Sequence, residues 1–424
     1  MGMTTVEKIV SYKVGRRVEV GEAVWLEVDL VVARDFGGPN AVKTFEEAGA
    51  PMKHPERVAF TFDLEAPARS EAYAQNHKAL RDFCKKHGVE KLLDVNRGVG
   101  QHALLESGLV APGDVVLGTD SHMNLLGAVG ALALGVGDTD VAAAWICGGS
   151  WIKVPPTAKL VLEGSLREGT TAKDLALTLL SKMGDDLMGM AVELHGTGAE
   201  GLSMSGRITL CSMATEMGSE IAFGPLDEGL SRFLEEMGLG GDATSKAAKL
   251  RPDPEAKYQL EETVRLEELC PMIAMPGSPR HAVPVEVVEG TPIDQVHIGS
   301  CTNGSFEDIR AAHQLLLRGG GRIKPGLRCI VTPATLGVAL RMAESGITAD
   351  LIRGGVVVTN PSCSLCTARH FGVLASGERC ISTSNRNFDG KVGRGAEVFL
   401  ASPLTAMASA ITGEITDPRK FLRR

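Results

Sequence analysis

Three cysteines are spaced so that their sulfurs could surround one metal centre. "GSCTNG" contains Cys301, and "NPSCSLCTARH" contains Cys363 and Cys366 as a C-x-x-C pair. Three thiolates can hold an iron–sulfur cubane with one iron left open for chemistry, whereas structural zinc needs four ligands. His370 could complete such a zinc site. A thiol redox pair and plain buried cysteines are further alternatives, and spacing alone does not decide among them.

The stretch "GTDSHMN" combines a carboxylate and an imidazole directly after an apparent strand. Asp120 is close enough to His122 in sequence to orient the imidazole and tune it for proton transfer. A turn capped by Asp120 and Ser121, with an incidental histidine, explains the same residues equally well. The motif is therefore a candidate for acid–base chemistry.

The polar loop "STSNRNFDGK" contains Asn385, Arg386 and Lys391 after a short strand-like run. These side chains suit the capture of a carboxylate or phosphate through charge-assisted hydrogen bonds. A solvated basic turn is the alternative.

"HGTGAEG" matches the G-x-G-x-x-G pattern after the strand-like "MAVEL". The following "LSMSGRITL" predicts another strand, which leaves no helix N-terminus for a pyrophosphate. We therefore expect no dinucleotide site. The phosphate-binding pattern G-x-x-x-x-G-K-[ST] is absent from the sequence.

The elements that must position these motifs alternate between strand and helix patterns. Runs such as "RVAFTFDL", "AKLVLEG" and "LRCIVTPAT" alternate with "TAKDLALTLLSKMG" and "IRAAHQLLLRGG". This alternation predicts an α/β fold with mainly parallel sheets, whose ligands bind beyond the carboxyl ends of the strands. "GTDSH", "GSCTN" and "NPSC" all occupy that position.

A chain of 424 residues predicts two or three domains. The polar segment 239–257 is the clearest connector, and a second break is expected near "WIKVPPTAK". We predict three α/β/α domains with mainly parallel sheets, at 1–155, 156–285 and 286–424.

Composition excludes several classes of protein. The net charge is −8 and the basic residues are scattered without interleaved aromatic residues, which disfavours nucleic-acid binding. No run approaches the roughly 18 apolar residues of a membrane span, and the N-terminus has no apolar leader segment. The nine cysteines are too sparse for a disulfide scaffold. We expect a cytoplasmic protein without a membrane or nucleic-acid partner.

Taken in order, "GTDSH", "GSCTNG", the C-x-x-C pair and "STSNRNF" resemble the aconitase family, and the resemblance runs over nearly the whole sequence. The chain looks like a free-standing large subunit of the 3-isopropylmalate dehydratase and homoaconitase group. The resemblance implies a [4Fe-4S] cluster held by Cys301, Cys363 and Cys366. It also implies a separate small swivel-domain subunit that carries the proton-abstracting serine.

The resemblance further assigns roles to individual side chains. Asp63, Asp120, His122, Glu216 and His102 are the expected catalytic group around the departing water. Ser121, Arg34, Asn385, Arg386 and Lys391 are expected to contact the substrate or the cluster.

The chain departs from the family pattern at several of these positions. The family commonly has His after the aspartate at 63, but this chain has Leu64. Gln101 stands at a usual histidine position with His102 next to it, Arg34 stands where His or Gln is usual, and Lys391 replaces an arginine. Lysine cannot make the planar two-pronged contact of arginine, so Arg34 is a candidate to replace that charge.

The sequence therefore predicts a hydro-lyase that reversibly dehydrates a hydroxy di- or tricarboxylic acid, most similar to 3-isopropylmalate dehydratase. Homoaconitase and a hydratase of a small diacid are the alternatives within the class. A non-catalytic subunit that binds a cluster or zinc is the alternative outside it, because Leu64 and Gln101 replace two imidazoles.

Overall fold

The structure is a computed structural model that describes residues 2–422. Three parallel or mainly parallel sheets follow one another along the chain, with helices packed between and around them. The predicted α/β class with mainly parallel sheets is confirmed. Within the described residues, no helix is long and apolar enough to cross a lipid bilayer.

The first unit is a five-stranded parallel sheet in the order β4-β3-β2-β5-β6, beside a two-stranded antiparallel ribbon of β1 and β7. Strands β2, β3 and β5 are buried along their whole length, as strands covered by helices on both faces should be. The strands are β1 (Ala23–Glu27), β2 (Leu30–Arg34), β3 (Val58–Thr61), β4 (Lys91–Leu93), β5 (Val115–Gly118), β6 (Leu132–Gly135) and β7 (Gly149–Lys153). The helices are α1 (Thr5–Val14), α2 (Gly38–Ala48), α3 (Glu71–His87), α4 (Gly100–Glu106) and α5 (Asp138–Cys147).

The second unit is a four-stranded parallel sheet in the order β10-β9-β8-β11. Its strands are β8 (Thr157–Glu163), β9 (Ala191–His195), β10 (Ile221–Phe223) and β11 (Leu260–Arg265). Its helices are α6 (Ala172–Met183), α7 (Gly196–Gly201), α8 (Met204–Ala214), α9 (Glu228–Glu236) and α10 (Asp242–Leu250).

The third unit is a seven-stranded sheet in the order β13-β12-β18-β17-β14-β15-β16. Strand β12 is antiparallel to both of its neighbours, β13 and β18, and the other pairs are parallel. Its strands are β12 (Met272–Ala274), β13 (Ala282–Pro284), β14 (Gln295–Ile298), β15 (Arg328–Val331), β16 (Val357–Val358), β17 (Arg379–Ser382) and β18 (Glu397–Ala401). Its helices are α11 (Ser300–Asn303), α12 (Phe306–Arg318), α13 (Leu336–Glu344), α14 (Ile347–Arg353) and α15 (Pro403–Thr412). Because β12 and β13 join this sheet, the sheets divide the chain nearer residue 270 than the predicted boundary at 285.

Two local predictions were wrong. "LSMSGRITL" forms most of helix α8 rather than a strand, because Ser203 caps the helix by accepting a hydrogen bond from the Gly206 amide. The polar segment 239–257 contains helix α10 rather than only a connector. Its Ala247 and Leu250 are buried, so a single apolar edge stabilises a helix that the polar composition concealed.

The glycines of "HGTGAEG" have a packing role. A Cβ atom on Gly196 would lie 2.5 Å from the Leu162 carbonyl oxygen, and one on Gly198 would lie 2.8 Å from the same atom. Side chains at these positions would push helix α7 away from strand β8. The close packing explains the motif without a bound phosphate.

Candidate active site and metal centre

Three charged side chains meet at the carboxyl edge of the first sheet. Arg34 ends β2, Asp63 follows β3, and Asp120 follows β5. Because β2 pairs in parallel with both β3 and β5, the three strand ends lie side by side. The sheet therefore brings together residues that are far apart in sequence.

The guanidinium group of Arg34 lies between the two carboxylates. Its Nε and Nη2 donate to Asp63 Oδ1 at 2.9 and 2.6 Å, and its Nη1 donates to Asp120 Oδ2. Asp63 Oδ2 accepts a further hydrogen bond from the Gly100 amide at 2.8 Å. Arg34 is only 9% exposed, so it forms a buried ion triad.

His122 lies between two carboxylates from different units. Its Nε2 is 2.8 Å from Glu216 Oε1, and its Nδ1 is 3.5 Å from Asp120 Oδ1. Arg386 Nε donates to the same Glu216 oxygen at 2.7 Å. The contacts form one row of alternating charge, which runs Arg386, Glu216, His122, Asp120, Arg34, Asp63.

This arrangement determines which groups carry charge. Burial opposes protonation of His122, but its hydrogen bonds to Asp120 and Glu216 raise its pKa above the ordinary value. Against burial, Arg34 and His122 hold the pKa of Asp120 well below its usual range. Burial raises the pKa of Asp63 to about 7 although Arg34 opposes the shift. The two carboxylates thus favour the imidazolium form of His122, which is the form that can donate a proton.

Cys301 is held in a tightly built turn after β14. A Cβ atom on Gly299 would lie 2.9 Å from the Thr332 carbonyl oxygen, so the chain can pass here only as glycine. Ser300 follows with φ 75°, a left-handed conformation that is strained for a residue with a side chain. Such strain is typical of functional sites.

The C-x-x-C segment has the same kind of strain. Ser364, between the two cysteines, has φ 54°, and its Oγ contacts Thr332 Oγ1 at 2.7 Å and His297 Nε2 at 3.2 Å. The Cys363 amide donates to the Asp63 carbonyl oxygen at 2.8 Å. This hydrogen bond joins the cysteine segment to the carboxylate edge of the first sheet.

The donor set fits a metal centre held by anionic sulfur. Cys301 and Cys363 are 3% and 2% exposed, and Cys363 hydrogen-bonds the Cys366 sulfur. That hydrogen bond, with the positive charges of Lys391 and Arg34, lowers the pKa of Cys366 to about 5. Cys301, Cys363 and Cys366 lie near enough to affect one another's pKa, and thiols with cations beside them have the donor chemistry of the cluster that the resemblance implies.

His370 does not join the thiols. Its Nε2 lies 3.0 Å from Ser362 Oγ. In residues 2–422 no three or more His, Cys, Asp or Glu side chains, Cys301, Cys363 and Cys366 included, are arranged around a single ion position. The Cys3His zinc arrangement considered from the sequence is therefore not formed in this structure.

Asn385 is buried against Cys301 and Thr302. Its Oδ1 accepts from Thr302 Oγ1 at 2.8 Å and lies 3.3 Å from the Cys301 sulfur, while its Nδ2 donates to Ser212 Oγ at 3.0 Å. Sequence reasoning missed Ser212. Its signal was position, because Ser212 lies near the end of helix α8, four residues before Glu216 in the 3-10 turn that follows.

The two residues of "QH" point to different sides. Gln101 borders a small cavity with Arg34, Asp63 and Asp120, and its Nε2 is buried without a hydrogen-bond partner among the described residues. His102 Nε2 instead donates to the Cys301 carbonyl oxygen at 2.7 Å. Gln101 therefore lies beside Arg34, Asp63 and Asp120, whereas His102 contacts the main chain of Cys301.

The remaining predicted residues lie at the edge of the site. Ser121 is exposed. Lys391 Nζ lies 5.2 Å from the centre of the Phe388 ring. Leu64 is buried, and its amide donates to Asp35, so this position contributes no polar side chain to the site.

Comparisons with known proteins agree with this geometry. The model of the aconitase family (aconitate hydratase) matches residues 7–413. The chain belongs to the aconitase family. It is 42% identical over 425 residues to the 3-isopropylmalate dehydratase large subunit 1 of Methanopyrus kandleri, with full coverage of both chains. It is 40% identical to the homoaconitase large subunit of Thermus thermophilus, covering 99% of this chain and 98% of that one.

A solved structure shows the same fold at lower identity. Aconitase X of Thermococcus kodakaraensis, in its holo-form, superposes with a TM-score of 0.51 at 14% identity, covering 90% of this chain and 89% of that one. The predicted aconitase-like fold and hydro-lyase class are confirmed. This aconitase-family chain corresponds over its whole length to proteins named as large subunits.

Proposed function

We propose that this chain is the large subunit of a [4Fe-4S] hydro-lyase that reversibly dehydrates a hydroxy di- or tricarboxylic acid of the 3-isopropylmalate type. The main support is the buried row of alternating charge, which the hydrogen bond from the Cys363 amide to the Asp63 carbonyl oxygen joins to the C-x-x-C segment. The 42% identity to a 3-isopropylmalate dehydratase large subunit supports the substrate class. A small swivel-domain subunit is the proposed partner, because the relatives are named large subunits.

Cys301, Cys363 and Cys366 are the proposed ligands of the cluster. When bound, the cluster supplies a Lewis acid that polarises the substrate hydroxyl and one carboxylate. Asn385 fixes Cys301 by its contacts with the sulfur and with Thr302.

The chain's own residues handle the departing hydroxyl and a substrate carboxylate. The serine expected on the small subunit removes the proton from the neighbouring carbon, and the electron pair forms the C=C bond. His122 donates its proton to the hydroxyl as the C–O bond breaks, so that the group leaves as water. Asp120 and Glu216 keep His122 charged and oriented for this step. Arg386 uses one nitrogen for Glu216, and its remaining N–H groups are free to bind a carboxylate.

Gln101 is the proposed donor of one further hydrogen bond to the substrate. Its amide nitrogen is buried at the carboxylate cluster without a partner, which is unfavourable unless a ligand accepts the hydrogen bond. The neutral amide of Gln101 favours a substrate group that accepts a hydrogen bond. Because the amide does not titrate, it keeps this role at every pH.

A second candidate is homoaconitase, supported by the 40% identity to the Thermus thermophilus large subunit. Both reactions move water across adjacent carbons of a hydroxy acid and need the same proton donor and carboxylate clamp. Substrate turnover separates them.

The test is metal analysis followed by a substrate screen. Anaerobically purified protein should contain about four iron and four sulfide per chain, and Cys363→Ser should lose them. Cys329→Ser is the matched control, because Cys329 is fully buried on β15 away from the site. The loaded protein, mixed with the small subunit, should turn over 3-isopropylmalate faster than homocitrate. Stoichiometric zinc without sulfide would reject the proposal.

A further inference from the structure

Lys173 is a charged side chain with no solvent exposure. Its Nζ donates to the main-chain oxygens of Thr383 at 3.1 Å and Ser384 at 2.7 Å, and it lies 3.4 Å from the Met213 sulfur. It makes no hydrogen bond with a carboxylate in residues 2–422. A buried ammonium without an anionic partner is strongly unfavourable, so a compensating interaction is required.

The position of Lys173 within its helix adds to that penalty. It is the second residue of α6, where the helix dipole repels a positive charge. The neighbouring Asp174 attracts the ammonium only weakly; its carboxylate caps the helix at Thr171 and accepts from the Met272 amide at 2.9 Å. Burial lowers the pKa of Lys173 to about 8. Violations of local rules on this scale are expected at functional positions.

The contacts of Lys173 lead to the active site. Thr383 and Ser384 directly precede Asn385 and Arg386, so the ammonium holds the main chain of the segment that contacts Cys301 and Glu216. The Thr383 carbonyl oxygen that accepts from Lys173 also accepts from Thr302 Oγ1 at 3.2 Å, and Thr302 directly follows Cys301.

We propose that Lys173 is a positioning residue of the active site. Its ammonium anchors the turn that carries Asn385 and Arg386, and it supplies the buried positive charge that balances the cluster at its Cys301 ligand. Only the second part rests on the proposed function. Lys173 belongs to the second unit and binds main-chain oxygens of the third unit, so it also holds the two units together beside the site.

Hydrogen exchange of the metal-free protein tests the anchoring. Lys173→Met keeps the chain length but removes the charge and the donors. Amides in the segment 380–388 should exchange about 10- to 100-fold faster than in the wild type, the effect expected for losing hydrogen bonds to a charged group. Lys182→Met is the matched control, because Lys182 is exposed on the same helix, and it should exchange as the wild type does.

The reduction potential of the loaded protein tests the charge. Lys173→Met and Lys173→Gln should both shift the potential of the cluster to a more negative value, because reduction adds negative charge that Lys173 no longer offsets. A purely structural lysine would leave the potential unchanged. Lys173→Gln keeps a hydrogen-bond donor, so it tests the charge even where Lys173→Met does not fold.

If Lys173→Met folds and its amides in 380–388 exchange at the wild-type rate, Lys173 does not anchor this segment. If the reduction potential of Lys173→Gln is unshifted, Lys173 does not balance the charge of the cluster. If the wild-type protein bound no cluster, the proposed function would fail, while the exchange experiment would still decide whether Lys173 anchors the segment.

Discussion

Replacement of Arg34 by methionine distinguishes a buried structural charge from a substrate ligand. The arginine was a candidate substrate contact in the sequence, but three of its nitrogens bind Asp63 and Asp120. Arg34→Met leaves two buried carboxylates without their cation. Breaking a buried ion pair from one side costs about 3–5 kcal/mol. For a chain of this length, that loss corresponds to a melting temperature lowered by about 3–6 °C.

The loss should depend on pH with a definite sign. Without Arg34, the pKa of Asp63, which burial already raises to about 7, moves further above its unfolded value, whereas Asp120 keeps His122 as a partner. A carboxyl with a raised folded-state pKa destabilises the folded state above the unfolded pKa, and the effect is complete only above the folded pKa. The difference from the wild type should therefore be larger at pH 8 than at pH 5, since Asp63 already titrates near 7.

Thermal unfolding at the two pH values and steady-state kinetics with the small subunit measure these effects. We expect kcat to fall, because Asp120 loses the partner that fixes it against His122, while KM stays near the wild-type value. Arg353→Met is the control, because the Arg353 side chain is 76% exposed. A KM raised tenfold with an unchanged melting temperature would make Arg34 a substrate ligand and refute the buried-triad account.

Three further changes give separate outcomes. Glu216→Gln removes a charge that raises the pKa of His122, so the alkaline limb of the pH–kcat profile should move to lower pH. The value of kcat should also fall by about 100-fold. An unmoved limb would exclude His122 as the acid. Gln101→Met removes a buried unpaired donor, so it should stabilise the metal-free protein by about 1 kcal/mol in thermal unfolding and raise KM; a lower stability would show that the protein itself satisfies Gln101. Lys391→Arg adds a planar two-pronged donor and should lower KM for a diacid, and an unchanged KM would remove Lys391 from the carboxylate clamp.

The sequence predicted that the candidate site forms at the carboxyl ends of strands, because strand patterns are local. Arg34, Asp63, Asp120 and Cys301 all end or follow strands, and parallel pairing brings strand ends together. The row of alternating charge was not predictable, because the partners Glu216 and His122 lie 94 residues apart. Which carboxylate meets which cation depends on how two sheets pack, and no local pattern contains that information.

The failures have similar causes. Ser203 starts a helix in a stretch whose apolar residues also suit a strand, and short apolar runs do not separate the two. His102 and Gln101 are adjacent on helix α4, so their side chains point in different directions, and sequence alone does not tell which one enters the site.

Leu64 and Gln101 stand where the family resemblance implies histidines, and this has a consequence for the pH dependence of the proposed reaction. At position 64 the chain has a buried leucine, and Asp63 is paired instead with Arg34, a cation that stays charged at every accessible pH. Gln101 does not titrate. His122 is then the imidazole that contacts the carboxylates of the site. The kcat profile should therefore show one imidazole ionisation on its alkaline side, that of His122, beside the carboxyl of Asp63 with its pKa of about 7. A further ionisation there would mean that another titrating group shares the proton transfer.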